Sequence, residues 1–257
     1  MFGFCPLASG SKGNCLYVGS QTTRVLIDAG ISTAVILDRL AQIGVDPALI
    51  GAILITHEHS DHIKGLALLA AKLKIPVLSN AETAKGICAA LGERPRFKIF
   101  TTGETFQFGD LTIHPFSIPH DTLDPVAFTF QIGAIKLGVC ADIGHATSLV
   151  KKQLERSDYL YLEANHQVSM VHASSRPEYL KQRILGKQGH LSNEDCGALL
   201  LAIHHPGLKH VHLAHLSSEC NAEEVALKVV REALALKNLS VALSIARQDA
   251  ISKAIYF

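Results

Sequence analysis

"ILITHEHSDHIKG", residues 53–65, sets three histidines and an aspartate within six positions, directly behind an apolar run. The run has the composition of a short buried strand. Four polar groups leaving such a strand make poor core residues without partners, because an unpaired buried polar group costs about 2–7 kcal/mol. A neutral imidazole is a good ligand for zinc and similar metals, and carboxylate oxygens complete such sites. In a loop leaving a strand, side chains two apart converge on one ion, and His57 and His59 have that spacing. Asp61 and His62 open the next helix, where they would face a second ion; Ser60 is the expected N-cap. Chance places H-x-H-x-D-H in roughly two of a thousand chains of this composition, so coincidence is the weaker reading.

The rest of the chain offers ample core. Of 257 residues, 48% are hydrophobic and 18% charged, a globular composition. The formal net charge of +1 neither favours nor excludes a nucleic-acid partner, which would have to be met by a local patch. The first residues, "MFGFCPLASG", lack the basic and apolar regions of a signal peptide, and no apolar stretch reaches the length of about 18 residues that spans a bilayer. Six dispersed cysteines without a CxxC pair read as thiols, and the expected location is cytoplasmic, with no membrane partner.

Short β-like runs separated by Gly, Ser and Asn open the chain, followed by strand–helix alternation to about residue 91. From about 96 to 140, "FKIF", "TFQFG", "LTIHPFSIP", "VAFTFQIG" and "AIKLGVCAD" read as a meander. Alternation then resumes and ends on the strand "VALSIA". The two halves have similar order and no linker divides them. The expected architecture is α/β (α+β): one domain over 1–257, with two mixed sheets packed face to face and helices outside. A doubly wound parallel sheet is the rival, and the meander weighs against it.

"THEHSDH" resembles the signature of the metallo-β-lactamase fold superfamily. Further motifs of that family can be matched in order: Asp28 in "VLIDAG", His120 in "FSIPHD", Asp142 in "LGVCADIG" and His215 in "HLAHLSS". The resemblance implies the four-layer αββα sandwich. It implies that His57, His59 and His120 hold one metal, that Asp61, His62 and His215 hold another, that Asp142 bridges them, and that Asp28 supports the ligand loops. The implied cofactors are two divalent ions, zinc first because histidine predominates, with manganese or iron also fitting. Such a centre suits hydrolysis by a metal-bridging hydroxide, at which Asp61 also counts as catalytic. Cys140 reads as a small buried apolar residue.

The interval between Asp142 and His215 carries the substrate information. "LEA" with Glu163 and "GHLSN" with His190 resemble segments of the tRNase Z branch, where a Glu and a His cooperate in protonating the leaving group. Taken with "ASGSKGNC", "EANH" and "LKQRILGKQGHLSN", the chain is more similar to the YycJ/WalJ-type branch, associated with exonuclease activity on DNA. Gln167 and Thr122 depart from that branch's usual acidic residue and Ala. The implied function is a phosphodiesterase, an exodeoxyribonuclease acting on a DNA substrate. An RNA-processing nuclease or a small-molecule ester, thioester or lactone hydrolase is the alternative. Candidate substrate contacts are Ser11 and Asn14 in the "SGSKGN" turn, His166, and Lys181 and Arg183 in a basic helix that also carries Arg176 and Lys187. A hairpin turn and a solvated helix face explain the turn and the basic helix equally well.

Overall fold

The computed structural model describes residues 1–257. Its first sheet holds seven strands: β1 (Gly3–Ala8), β2 (Cys15–Gly19), β3 (Arg24–Ile27), β4 (Ala52–Leu54), β5 (Val77–Ser79), β6 (Phe97–Ile99) and β14 (Ile255–Tyr256). The second holds β7 (Phe106–Phe108), β8 (Leu111–Ser117), β9 (Val126–Ile132), β10 (Ile135–Cys140), β11 (Tyr159–Glu163), β12 (His210–Ala214) and β13 (Ala242–Ile245). The spatial orders are β14-β1-β2-β3-β4-β5-β6 and β13-β12-β11-β10-β9-β8-β7. Each sheet is antiparallel on one side and parallel on the other, with β3 and β10 at the change of direction.

Three apolar layers account for the packing. One cluster lies between the sheets and includes Phe4, Val25, Phe128, Phe130 and Val139. A second joins the outer face of the second sheet, through Leu160, Leu162 and Val211, to Leu199, Leu200, Ala226 and Val230 on helices. The third joins Leu26 and Ile53 to Ile36, Leu40 and Leu66 on helices over the first sheet. Two sheets covered by helices on both outer faces form the four-layer sandwich. Its central strands read as continuous apolar runs because both of their faces are buried.

Three segments differ from the sequence reading. "FKIF" is not part of the meander: β6 runs parallel to β5 and completes the first sheet, after the crossover helix Ala81–Leu91. The chain also returns to add β14 beside β1, an edge pair of two residues too short to leave a periodic pattern. The expected long helix after the histidine cluster is two helices, Ser60–Ile63 and Leu66–Leu73. Its N-cap is His59, with Ser60 in the first turn; His59 makes no side-chain cap bond because its ring turns toward the other histidines.

Candidate metal centre

Parallel strands bring the candidate residues to one edge. Within the first sheet, Ile27 pairs with Leu54, so Asp28 and the Thr56–His62 segment leave β3 and β4 side by side. Within the second, Cys140 pairs with Leu162 and Glu163 with Ala214, which sets Asp142, Glu163 and His215 at the same carboxyl end. Sites in parallel α/β sheets gather at such ends. Asp28, Asp142 and His215 each have left-handed backbone, with φ of 61°, 55° and 54°. Such conformations cost about 1–3 kcal/mol each in non-glycine residues and cluster at functional sites.

Four groupings have their ligand atoms within 4.8 Å of one another; two of them are the expected donor sets, and in the other two Asp142 joins His57 and His62, and Glu163, His190 and His215. The first is His57, His59 and His120: His59 Nδ1 lies 3.2 Å from His57 Nε2 and 3.3 Å from His120 Nε2. The far nitrogens are anchored. His57 Nδ1 is 2.9 Å from Thr56 Oγ1, and His120 Nδ1 donates to Gly189 O at 3.1 Å, which leaves Nε2 as the inward lone pair. Burial and neighbouring imidazoles hold the His57 and His59 rings below their ordinary pKa, so both are neutral donors.

The second set is Asp61, His62 and His215. His62 Nδ1 donates to Asp28 Oδ2 at 2.8 Å, and Asp28 Oδ1 accepts from Thr56 N at 2.9 Å. His215 Nε2 and His62 Nε2 each lie 3.5 Å from Asp61 Oδ2. Asp142 touches both sets, 3.0 Å from His62 Nε2, 3.4 Å from His215 Nε2 and 4.0 Å from His120 Nε2.

The donors fit divalent ions on two grounds. Asp142 Oδ2 and His215 Nε2 are buried without an aligned hydrogen bond, an unfavourable state that a bound cation relieves. Charge is the second ground. Burial opposes protonation of His62 and His215, yet carboxylates outweigh it: Asp28 and Asp142 raise His62, and Asp142, Asp61 and Glu163 raise His215 to about 10. The set therefore holds more negative charge than neutral imidazoles balance, and divalent cations meet that demand with the rings unprotonated.

His190 stands beside this centre. Its Nδ1 donates to Glu163 Oε1 at 2.8 Å and its ring stacks on His215 at 5.3 Å. Glu163 is fully buried, and Oε2 accepts from Ile143 N at 2.6 Å. Burial pushes its carboxyl up, but His190 outweighs this and holds it below its ordinary value, ionised.

Comparison with known proteins follows the same geometry. The model of the beta-lactamase superfamily domain matches residues 23–214. Exodeoxyribonuclease YycJ of Bacillus anthracis is 36% identical over 242 residues, 93% of this chain and 91% of that protein. Exodeoxyribonuclease WalJ of Streptococcus pneumoniae serotype 2 is 36% identical over 244 residues, again 93% and 91%. The chain belongs to the metallo-β-lactamase superfamily, in its YycJ/WalJ branch. Among solved structures, the metallo-beta-lactamase fold protein YhfI from Bacillus subtilis superposes with a TM-score of 0.73 at 17% identity, over 96% of this chain and 97% of that one, which shows a shared fold.

In this superfamily member, several of the sequence-derived candidates lie elsewhere than expected. Asn14 is buried and turned inward: Nδ2 lies 3.0 Å from His62 Nε2 and 3.3 Å from Asp61 Oδ2, so it braces the cluster and is closed to substrate. Ser11 is exposed, but the turn around it spends its N–H groups internally, Gly10 N on Asn14 Oδ1 and Lys12 N on Gln248 Oε1. That is the hairpin-turn reading rather than a phosphate cradle. His166 is buried against Ser192, and burial pushes its ring down to about 4, neutral and away from substrate. Lys181 bends back to donate to His172 O at 2.8 Å, and Arg176 pairs with Glu219. Arg183 alone of these three faces the centre, donating to Asp121 Oδ2 at 2.6 Å. Gln167 lies in a polar network with Glu194 and Asn193 at the start of the helix Asn193–Ile203. Cys140 packs into the helix-side core.

Four residues escaped the sequence reading. Thr56 links Asp28 to both His57 and His62. Asn165 donates to His215 O at 2.7 Å, Ser9 Oγ accepts from His215 N at 2.8 Å, and Asp121 lies 3.6 Å from His120 Nε2. A signal existed for two of them: Thr56 and Asn165 are polar residues that end apolar strands.

Proposed function

We propose that the chain is a binuclear metal-dependent phosphodiesterase, an exodeoxyribonuclease of the kind its relatives are named for. The observation that carries the reading is a pair of three-residue donor sets sharing Asp142, with an ionised Glu163 and His190 beside them. His57, His59 and His120 would hold one ion, Asp61, His62 and His215 the other, and zinc is the first candidate. When bound, two such ions supply an activated water and neutralise charge on the attacked phosphoryl group.

The chain's own residues do the rest. Asp28, Thr56 and Asn14 fix the orientation of His62 and Asp61. Glu163 binds the Nδ1–H of His190 and fixes the orientation of the ring. His190 Nε2, which makes no hydrogen bond in the fold, passes its proton to the departing sugar oxygen. General acid catalysis of this kind contributes about 10²–10⁴-fold. The same proposal places the protein in the cytoplasm.

The test is the zinc- or manganese-loaded protein on end-labelled single- and double-stranded DNA and RNA, beside a thioester and a lactone. DNA digestion that a chelator abolishes, and that His59→Ala and Asp142→Ala lose together with bound metal, is the expected result. Turnover of the thioester or lactone with intact DNA would overturn it.

A further inference from the structure

A polar cleft of about 580 Å³ opens beside the metal centre, lined by Pro119, Asp121, His145, Gln182, Arg183, Gly186, Lys187, Gln188 and Gly189. It adjoins the centre directly. Pro119 and Asp121 flank His120, Gly189 precedes His190, and Asp121 Oδ1 lies 3.8 Å from His59 Nε2. Ligand pockets of this size are mostly apolar where they take drug-like molecules. In this one Pro119 is the only apolar side chain of any size in the wall.

Its cations are held, or free, in a telling way. Arg183 gives only Nε to Asp121, and the guanidinium is otherwise open, with a side chain 57% exposed. A guanidinium with one edge anchored keeps its remaining donors in a fixed fork, the arrangement that recognises phosphate. Lys187 is exposed and makes no ion pair in the fold. His145 donates Nδ1–H to Lys187 O at 3.0 Å, which leaves Nε2 as an acceptor for an N–H donor. The wall is firm: a Cβ at Gly144 would sit 2.2 Å from Lys187 O, so the His145 loop and the Lys187 loop are in backbone contact.

We infer that this cleft is a nucleotide subsite next to the scissile phosphodiester. Arg183 and Lys187 bind a backbone phosphate of the DNA, and His145 accepts from a base N–H of the same nucleotide. Asp121 is a positioning residue that aims Arg183. The inference rests on the nuclease reading above. It also divides the basic segment, since Lys181 and Arg176 are turned away and contribute nothing to it.

The test is steady-state digestion of short end-labelled single-stranded DNA by the metal-loaded protein over a range of salt. For Arg183→Ala and Lys187→Ala, KM rises about tenfold each, the loss expected for a charge-assisted hydrogen bond, with kcat little changed. The plot of log(kcat/KM) against log salt becomes shallower by about 0.7 per phosphate contact removed. Asp121→Asn raises KM through Arg183, and Asp121→Asn combined with Arg183→Ala adds little to Arg183→Ala alone. Lys181→Ala moves neither KM nor slope. Parental KM and salt slope in Arg183→Ala and Lys187→Ala, in a protein that digests DNA, would overturn the cleft while leaving the nuclease reading standing. A parent protein that fails to digest DNA at all overturns both.

Discussion

Asp28→Asn separates the two donor sets. Asp28 is buried, and its Oδ1 accepts from Thr56 N at 2.9 Å, so an asparagine must keep its carbonyl there. The amide nitrogen then replaces Oδ2, 2.8 Å from His62 Nδ1 and 2.9 Å from Thr56 Oγ1. Facing a donor, Nδ1 has to become the acceptor, and the ring proton moves to Nε2. That is the nitrogen turned toward Asp142 and Asp61, and it cannot ligate while protonated. Loss of such a supporting carboxylate weakens metal binding about 10–100-fold, which is about 1.4–2.7 kcal/mol. His59 and His120 make no bond to Asp28, and His57 reaches it only through Thr56 Oγ1, so their set is perturbed less than the set that holds His62. Equilibrium titration with zinc should give one ion bound close to parental affinity and a second weakened by that factor. Two ions bound with parental affinity would refute the tautomer argument.

Other outcomes follow from the same contacts. His190→Ala should lower kcat about 10²–10⁴-fold with both metals retained by elemental analysis, and unchanged kcat would remove the acid. Glu163→Gln should cost more than rate: Glu163 Oε1 lies 3.4 Å from His215 Nδ1, so the second ion weakens too, read by the same zinc titration. Gly30→Ala places a Cβ 1.6 Å from Asp61 O, backbone against backbone. A cost of about 3 kcal/mol, or about 6–12 °C in melting temperature, is expected, and a change under a degree would contradict the packing. Asp110 ties the β7–β8 turn to Ser20 of the other sheet. Slight burial pushes its carboxyl up, and the Ser20 and Thr23 hydroxyls outweigh this and hold it well below its ordinary value. A depressed folded pKa stabilises above the unfolded value of about 4 and is lost as pH falls through the folded one. Asp110→Asn should therefore lower the melting temperature by about 1–2 °C at pH 7, discounted for exposure, and the difference should narrow as pH falls below about 4.

The sandwich was legible because its strands carry their own signal. "AILI" is apolar throughout and "VAFTFQI" is apolar but for Thr129 and Gln131, and helical periodicity between such runs marks crossovers. What misled was pairing. "FKIF" looks like its successors "TFQFG" and "LTIHPFSIP", yet β6 pairs with β5, and nothing in three residues distinguishes a parallel partner from an antiparallel one. β14 pairs across almost the whole chain, Gly3 with Tyr256, which no local pattern encodes.

The site divides along the same line. The sequence by itself determined which side chains have donor chemistry: imidazoles and carboxylates behind apolar strands carry it in their identity, and the fold brings His57, His59, Asp61, His62, His120, Asp142 and His215 together in groups that could hold metal ions. Only the tertiary structure decided how those donors are held and where substrate has room. Asn14 changed from a surface contact to a brace because a turn 48 positions away folds onto His62. Lys181 and Arg183, two apart, parted company because a helix sends them to different neighbours, His172 and Asp121. Hydrogen-bond partners and side-chain direction are properties of packed surfaces, and residue types two positions apart cannot record them.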